Sequence, residues 1–174
     1  MAEAAWVFGY GSLVWRPAFP YAVRHPAYIR GWARRFWQGS PDHRGRPQAL
    51  GRVATLVADP DAQCWGMAYL ISPEAVEETL TGLDHRERGG YARLQVQMHA
   101  PAMPRALTGF TYLAEPTNPH FLGPAPLPEM AAQIERAWGD SGANRDYVLE
   151  LATALRAMGV EDEHVFALAA LLER

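Results

Sequence analysis

The sequence predicts an α+β fold, a small curled sheet or β-barrel with helices packed on it. Three features point there. Runs rich in β-branched and aromatic residues fill the first two-thirds of the chain. Amphipathic helical patterns fill the last third, and only one short helical segment interrupts the strands. Strands first and helices later means segregated elements, whereas a parallel α/β sheet would alternate them. At 174 residues the chain fits a single domain over 1–174, since domains run to roughly 100–200 residues.

The strand segments are 6–10, 28–37, 52–59, 64–71, 91–99 and 106–113, bounded by Gly, Pro and Asp. Segment 91–99 alternates. Tyr91, Arg93, Gln95, Gln97 and His99 share one face, and Ala92, Leu94, Val96 and Met98 the other. The interrupting helix follows segment 64–71, with Ser72 as N-cap, Pro73 at its first position and Gly82 as its close. Pro128 opens the next helix, which runs to about Trp138 with Gly139 after it. Residues 144–158 form another, stopped by Gly159, with Tyr147, Leu151, Ala154, Leu155 and Met158 on one face. The last covers 161–172 and turns Val165, Leu168, Ala169 and Leu172 inward. The stretch from Pro116 to Pro128 holds five prolines and reads as an ordered connector anchored by Phe121 and Leu122.

Composition narrows the function. Apolar residues make up 49% and charged residues 20%, enough for a core of ordinary size. The net charge of −3 gives no attraction to nucleic acid or to an anionic membrane. A small polar substrate is the expected partner, with no obligatory protein partner evident. Cys64 is the only cysteine, so no internal disulfide forms, and a reducing, cytoplasmic location is expected. The N-terminus runs from Met1 through alanines into an apolar strand, without the basic and apolar regions of a signal peptide. No apolar run approaches the ~20 residues of a membrane span.

Four segments carry polar chemistry. Val7, Phe8, Gly9, Tyr10, Gly11, Ser12 and Leu13 form a strand that enters a glycine-rich turn. Two glycines let backbone approach a ligand closely and aim amide hydrogens at an anion or a carbonyl oxygen. The turn is no dinucleotide fingerprint, because the third glycine position is Val14 and no acidic residue follows about 20 positions on. Nor is it a nucleophile elbow, because Ser12 has no glycine two positions later. Asp84-His85-Arg86-Glu87-Arg88-Gly89-Gly90 is a polar cluster between a helix and a strand. Its plain reading is a solvated loop with Glu87 held ionised by two arginines. Its functional reading turns Glu87 inward as a proton carrier. Arg34-Arg35-Phe36-Trp37-Gln38-Gly39-Ser40, then Asp42-His43-Arg44-Gly45, mixes aromatic and basic residues, which suits a pocket wall that grips a carboxylate better than a nucleobase platform. The six histidines show no metal-ligand spacing, so no metal is expected. Cys64 reads as a small buried hydrophobe.

Taken in order, Phe8-Gly9-Tyr10-Gly11-Ser12-Leu13, Arg35-Phe36-Trp37-Gln38-Gly39-Ser40 with Asp42-His43-Arg44-Gly45, Arg86-Glu87 with Gly89-Gly90-Tyr91, and Gly123-Pro124-Ala125-Pro126-Leu127 extend over nearly the whole chain. This set resembles the ChaC-type glutathione-specific γ-glutamylcyclotransferases. The resemblance implies a γ-glutamylcyclotransferase-like β-barrel ringed by helices. It implies conversion of glutathione to 5-oxoproline and cysteinylglycine with no cofactor and no metal. It places Glu87 as the catalytic glutamate, Val7 through Ser12 in the substrate-binding turn, and Tyr147 as a tyrosine lining the site. His85 departs from the aromatic expected at its position, and Arg88 from the common lysine. Neither departure replaces the proton carrier.

The chemistry implied is intramolecular. The substrate's α-amine attacks its own γ-carbonyl, amides of the turn from Tyr10 to Leu13 hold substrate oxygens, and one carboxylate moves the proton. Arg34, Arg35 and Arg44 all remain candidates for the glycine carboxylate of glutathione. Two other readings stay open on sequence: a cyclotransferase for another γ-glutamyl amino acid or amine, and a non-catalytic module that binds a protein partner.

Overall fold

The computed structural model describes residues 3–86 and 90–174. Among these, the β-rich segments pair into one five-stranded sheet built from β1 (Ala5–Gly9), β2 (Val23–Ser40), β3 (Gly51–Ile71), β4 (Tyr91–Met98) and β5 (Leu107–Ala114). The order across the sheet is β2-β3-β1-β5-β4. The short β1 lies at the centre, antiparallel to β3 and parallel to β5. The sheet curls until its outer strands touch. Tyr28 of β2 and His99, just past β4, exchange amide-to-carbonyl bonds of 3.0 and 2.8 Å.

Helix α1 (Pro73–Arg86) connects β3 to the chain before β4, while α2 (Leu127–Arg136), α3 (Asn144–Ala157) and α4 (Glu163–Leu172) follow the last long strand. Helices α2–α4 bury Ile134, Leu151, Leu155, Val165, Leu168 and their neighbours in one core with Phe8, Ile29, Phe36 and Leu56 of the sheet. A smaller core gathers Val7, Met67, Tyr69, Ile71 and Tyr112 with Leu83 of α1. The inward residues expected of the last helix are all buried; of the expected β4 row, Val96 and Met98 are buried while Ala92 and Leu94 are half-buried. Among the described residues no helix is long and apolar enough to cross a membrane.

Strand β2 is longer than the expected 28–37, and three further boundaries differ from expectation. Segments 52–59 and 64–71 belong to one strand, β3. Its partner β2 shifts register between Arg30 and Trp32, and residues 59–62 stand opposite the single Gly31. Gly31 takes φ +85°, a conformation open to glycine. Pro60, which has no N–H to donate, sits exposed at this irregularity, so the strand continues through it. Helix α1 does not close at Gly82 but runs on to Arg86. A glycine inside a helix costs only about 1 kcal/mol against alanine, and Leu83, the next residue, is buried against β1 and β3. Trp138 and Gly139 leave helix α2 and pair with Gly142 and Ala143 as a two-residue hairpin, β6 and β7. Helix α3 then starts at the fully buried Asn144. Its carboxamide accepts from the Arg52 amide (2.7 Å) and donates to the Arg52 carbonyl (2.8 Å), which clamps the helix to β3. The predicted stop holds, with Gly159 at φ +73° after the helix.

Candidate functional site

A cavity of about 280 Å³ opens where β1 ends. The strand is too short to cross the sheet, so the chain turns at once into a 3₁₀ turn over Ser12–Val14. Phe8, Gly9, Tyr10, Gly11, Ser12 and Leu13 all line the cavity. Val7, also expected there, does not; it is fully buried in the smaller core.

The backbone of the turn is held from behind. Arg34 Nε donates to the Tyr10 carbonyl at 2.9 Å. The Tyr69 hydroxyl donates to the Leu13 carbonyl, and burial pushes that phenol up to about 12. The Val14 amide donates to the Gly11 carbonyl at 3.0 Å. The carbonyls are thereby used up, while the amide hydrogens of Gly11, Ser12 and Leu13 have no acceptor among the described residues. The first amides of any helical turn lack an internal partner. Here they belong to the cavity wall.

Tyr147, from α3, crosses to the same wall. Its hydroxyl accepts from the Ala54 amide at 3.3 Å, and its ring meets Trp15 and Phe36 edge-on at 5.1 and 5.8 Å. The space beside Gly11 is taken by this hydroxyl: a Cβ at position 11 would lie 2.6 Å from it. Glycine there is a packing requirement, and it keeps the turn pressed against Tyr147.

Arg44 supplies the cavity's positive charge. It is only 5% exposed. Its amide donates to Ser40 Oγ (3.0 Å), its Nη1 donates to the Ala143 carbonyl (2.9 Å), and its guanidinium lies 5.6 Å from the centre of the Tyr147 ring. No described carboxylate forms an ion pair with it. Burial lowers its pKa, with partial compensation from Glu150 and Tyr147, and the nearby Arg16 pushes it down further. Arg16, exposed on the same rim, also has no described carboxylate partner. The remaining wall includes Gln38, whose Nε2 donates to Asn118 Oδ1 at 3.1 Å, and Tyr112, whose hydroxyl donates to Asp84 at 2.6 Å.

The other arginines considered for the site lie elsewhere. Arg34 is buried behind the turn. Arg35 donates to the Arg34 carbonyl at 2.7 Å and lines a separate cavity with Trp37, Asp162 and His164. Strand β2 shifts register between Arg35 and Gln38, and the Phe36 amide leaves the ladder to donate to His164 Nε2 at 3.0 Å. Desolvation lowers the His164 pKa to about 4. Cys64 is 1% exposed beside Arg34, and burial raises its thiol pKa, in keeping with a structural residue. Glu87, with Arg88 and Gly89, lies outside the described residues. Description resumes at Gly90, and the next residue, Tyr91, is part of the cavity wall. Neither Arg16 nor Tyr91 has a site role on sequence, although Arg16 follows the Gly9–Val14 turn and Tyr91 belongs to the Gly89-Gly90-Tyr91 motif.

The family model described as ChaC-like protein matches residues 5–174. Glutathione-specific gamma-glutamylcyclotransferase 1 of Homo sapiens is 43% identical over 171 residues, covering 95% of this chain and 77% of that protein. The glutathione-specific gamma-glutamylcyclotransferase of Schizosaccharomyces pombe is 37% identical over 183 residues, covering 95% and 90%. Among solved structures, the gamma-glutamylcyclotransferase specific to glutathione from yeast superposes with a TM-score of 0.91 at 32% identity, covering 98% of this chain and 96% of that one. A more distant gamma-glutamyl cyclotransferase, 17% identical with a TM-score of 0.58, shares the fold. A match that begins in β1 and runs through α4, with relatives this similar over nearly the whole chain, shows that the protein belongs to the ChaC-like family.

Proposed function

We propose that this protein is a cytoplasmic γ-glutamylcyclotransferase that converts glutathione to 5-oxoproline and cysteinylglycine, with Glu87 as general acid and base. The observation that carries this reading is the pairing, in one cavity, of three turn amides that have no acceptor among the described residues with a buried arginine that no described carboxylate contacts. Such a site takes a small, multiply anionic, carbonyl-bearing ligand. The names of the relatives supply the substrate that fits this description.

In the proposed reaction the α-amine nitrogen bonds to the γ-carbonyl carbon, closing a five-membered ring. The γ-amide C–N bond then breaks. The proton lost by the amine passes to Glu87 and from there to the departing cysteinyl nitrogen. The γ-oxygen gains negative charge between the two steps, and the amides of Gly11 to Leu13 hold it in this scheme. One such donor is worth on the order of 3 kcal/mol. Arg44, with Arg16, holds a substrate carboxylate and keeps the glutamyl chain curled, and alignment of this kind reaches effective molarities of about 10⁵–10⁸ M. Every group that reacts lies on the substrate or on Glu87, so the scheme calls for neither metal nor cofactor.

The test is 5-oxoproline release from glutathione by the purified protein, with and without a chelator, beside Glu87→Gln. Release by wild type in both conditions is expected, and the variant should fall at least ~10²-fold, the lower end of general acid–base contributions. A folded wild type that releases 5-oxoproline only from other γ-glutamyl compounds would contradict the substrate assignment. A Glu87→Gln variant retaining more than about a tenth of the rate would contradict the proton carrier.

A further inference from the structure

Arg34 is the unusual residue of this fold: a long cation with almost no exposure, 2%, pressed against the back of the turn that lines the cavity. Each of its three nitrogens makes a bond. Nε donates to the Tyr10 carbonyl (2.9 Å), Nη1 to Asp162 Oδ2 (2.5 Å), and Nη2 to the Trp65 carbonyl. Asp162 is itself fixed, since its other oxygen caps α4 by accepting from the Val165 amide at 3.0 Å.

The consequence follows from peptide geometry. The Tyr10 carbonyl and the Gly11 amide hydrogen belong to one planar trans unit and point in opposite directions. A guanidinium that grips the carbonyl from behind therefore aims the Gly11 N–H forward, into the cavity that Tyr10 and Gly11 line. Rotating that peptide unit would strip a buried guanidinium of a bond it has no water to replace, so the arrangement resists reorganisation. Preorganised donors of this kind stabilise charge that appears during a reaction better than donors that must first turn.

We propose that Arg34 is a positioning residue: held by Asp162 at the start of α4, it fixes the Tyr10–Gly11 peptide so that the Gly11 amide meets the substrate oxygen. It touches no substrate. The proposal rests on the cyclotransferase reading for its rate measurement, and a second readout stands apart from that reading.

The variant is Arg34→Met with Asp162→Asn. It removes the buried pair together, so no lone charge is left, and asparagine still caps α4. Leu168→Ala, a core truncation in the same helix, calibrates what lost stability alone does. Melting temperature, kcat and KM on glutathione, and the Gly11 amide resonance in ¹⁵N-glycine-labelled protein titrated with 5-oxoproline are measured for each. The double variant should lose about 10²-fold in kcat, the low end for one lost oxyanion donor, with KM within a few-fold. Its Gly11 resonance should no longer move on adding 5-oxoproline. Leu168→Ala should melt lower yet keep kcat and the Gly11 response. Equal loss of kcat in both variants at equal melting temperature would reduce Arg34 to a structural part and overturn the proposal. If the double variant does not fold, Arg34→Lys keeps the charge opposite Asp162 but not the fork, and at least a tenfold loss of kcat is expected; full activity overturns the proposal. If wild type releases no 5-oxoproline, the proposed function falls. A Gly11 resonance that then responds to 5-oxoproline identically with and without Arg34 overturns the positioning role as well.

Discussion

Arg34 and Arg44 are both shut off from solvent, at 2% and 5% exposure, and lie ten residues apart along the chain. They differ in how their charge is answered. Arg34 meets a carboxylate at 2.5 Å and two carbonyls, so each of its three nitrogens is engaged within the chain. Arg44 meets one carbonyl and the face of Tyr147, with no described carboxylate in contact and a second cation, Arg16, near enough to disfavour its charge. Burying a charge without a counter-ion is costly. A chain that keeps such a residue at a cavity wall sacrifices stability there, and a bound anion would restore it. The first region is closed and holds the fold; the second is open and awaits a ligand.

This contrast gives different sizes to two matched substitutions. Arg34→Met alone leaves the part-buried Asp162 without its partner. It should destabilise the fold by about 3–5 kcal/mol, the range for breaking a buried pair from one side, as read from denaturant midpoints. Arg44→Met removes a charge that no described carboxylate contacts and that Glu150 and Asp146 answer only at longer range, so its stability should stay within about 1 kcal/mol of wild type. Its kcat/KM on glutathione should nevertheless drop by about 10–10²-fold, in line with charge-assisted bonds worth 1.5–3 kcal/mol. A large loss of stability in Arg44→Met would show that its charge is answered within the chain, and the contrast would collapse. The C-terminal amide of glutathione sharpens the assignment. Wild type should use it less well than glutathione, and Arg44→Met should use both alike if the glycine carboxylate is the bound group. A uniform loss on both would place the α-carboxylate there.

A smaller effect sits at Tyr147, which joins the two regions. Tyr147→Phe leaves the ring against Trp15, Phe36 and Arg44 but removes the acceptor of the Ala54 amide. An unmade bond to a buried amide costs about 1–3 kcal/mol, and the measured stability loss should fall in that range. Unchanged stability would mean that Ala54 finds another partner.

Much of this was legible in the sequence because local rules govern it. The period-2 rows of β4 and the faces of α3 and α4 depend on neighbours a few residues apart, and their centres are buried as expected, with Ala92, Leu94, Ala154 and Met158 half-buried at the margins. The Tyr10–Leu13 turn was legible because glycine spacing reports backbone demand directly. Arginine roles were not. Arg34, Arg35 and Arg44 are chemically identical in the sequence, and three separate long-range facts sort them. Asp162 lies 128 residues from Arg34. The register shift in β2 carries Arg35 to another cavity. The hairpin at Gly139–Gly142 brings the Ala143 carbonyl to Arg44. Likewise Gly82 looked like a helix end because its signal is local, while Leu83's burial, which overrides it, is tertiary.

The register shift itself offers the most delicate test of the closed region. Between Arg35 and Gln38 the Phe36 amide has left the ladder, and the neutral His164 ring is its acceptor. Desolvation holds the His164 pKa at about 4, with Arg35 and Arg34 lowering it further and Asp162 acting the other way; an unfolded histidine titrates near 6.5. The folded pKa thus lies below the unfolded one, so the unfolded chain takes up the proton first as pH falls. Stability from this residue is fully present above about pH 6.5 and drains between there and about pH 4. The ring is partly open to solvent, so the loss is discounted to about 1–2 kcal/mol by pH 4. Denaturant midpoints at pH 7.5 and pH 5 should therefore differ more in wild type than in His164→Gln, where a carboxamide oxygen can still accept from Phe36 and does not titrate. If both proteins lose stability equally over that interval, the proton enters elsewhere and His164 is not what holds the β2 irregularity in its neutral form.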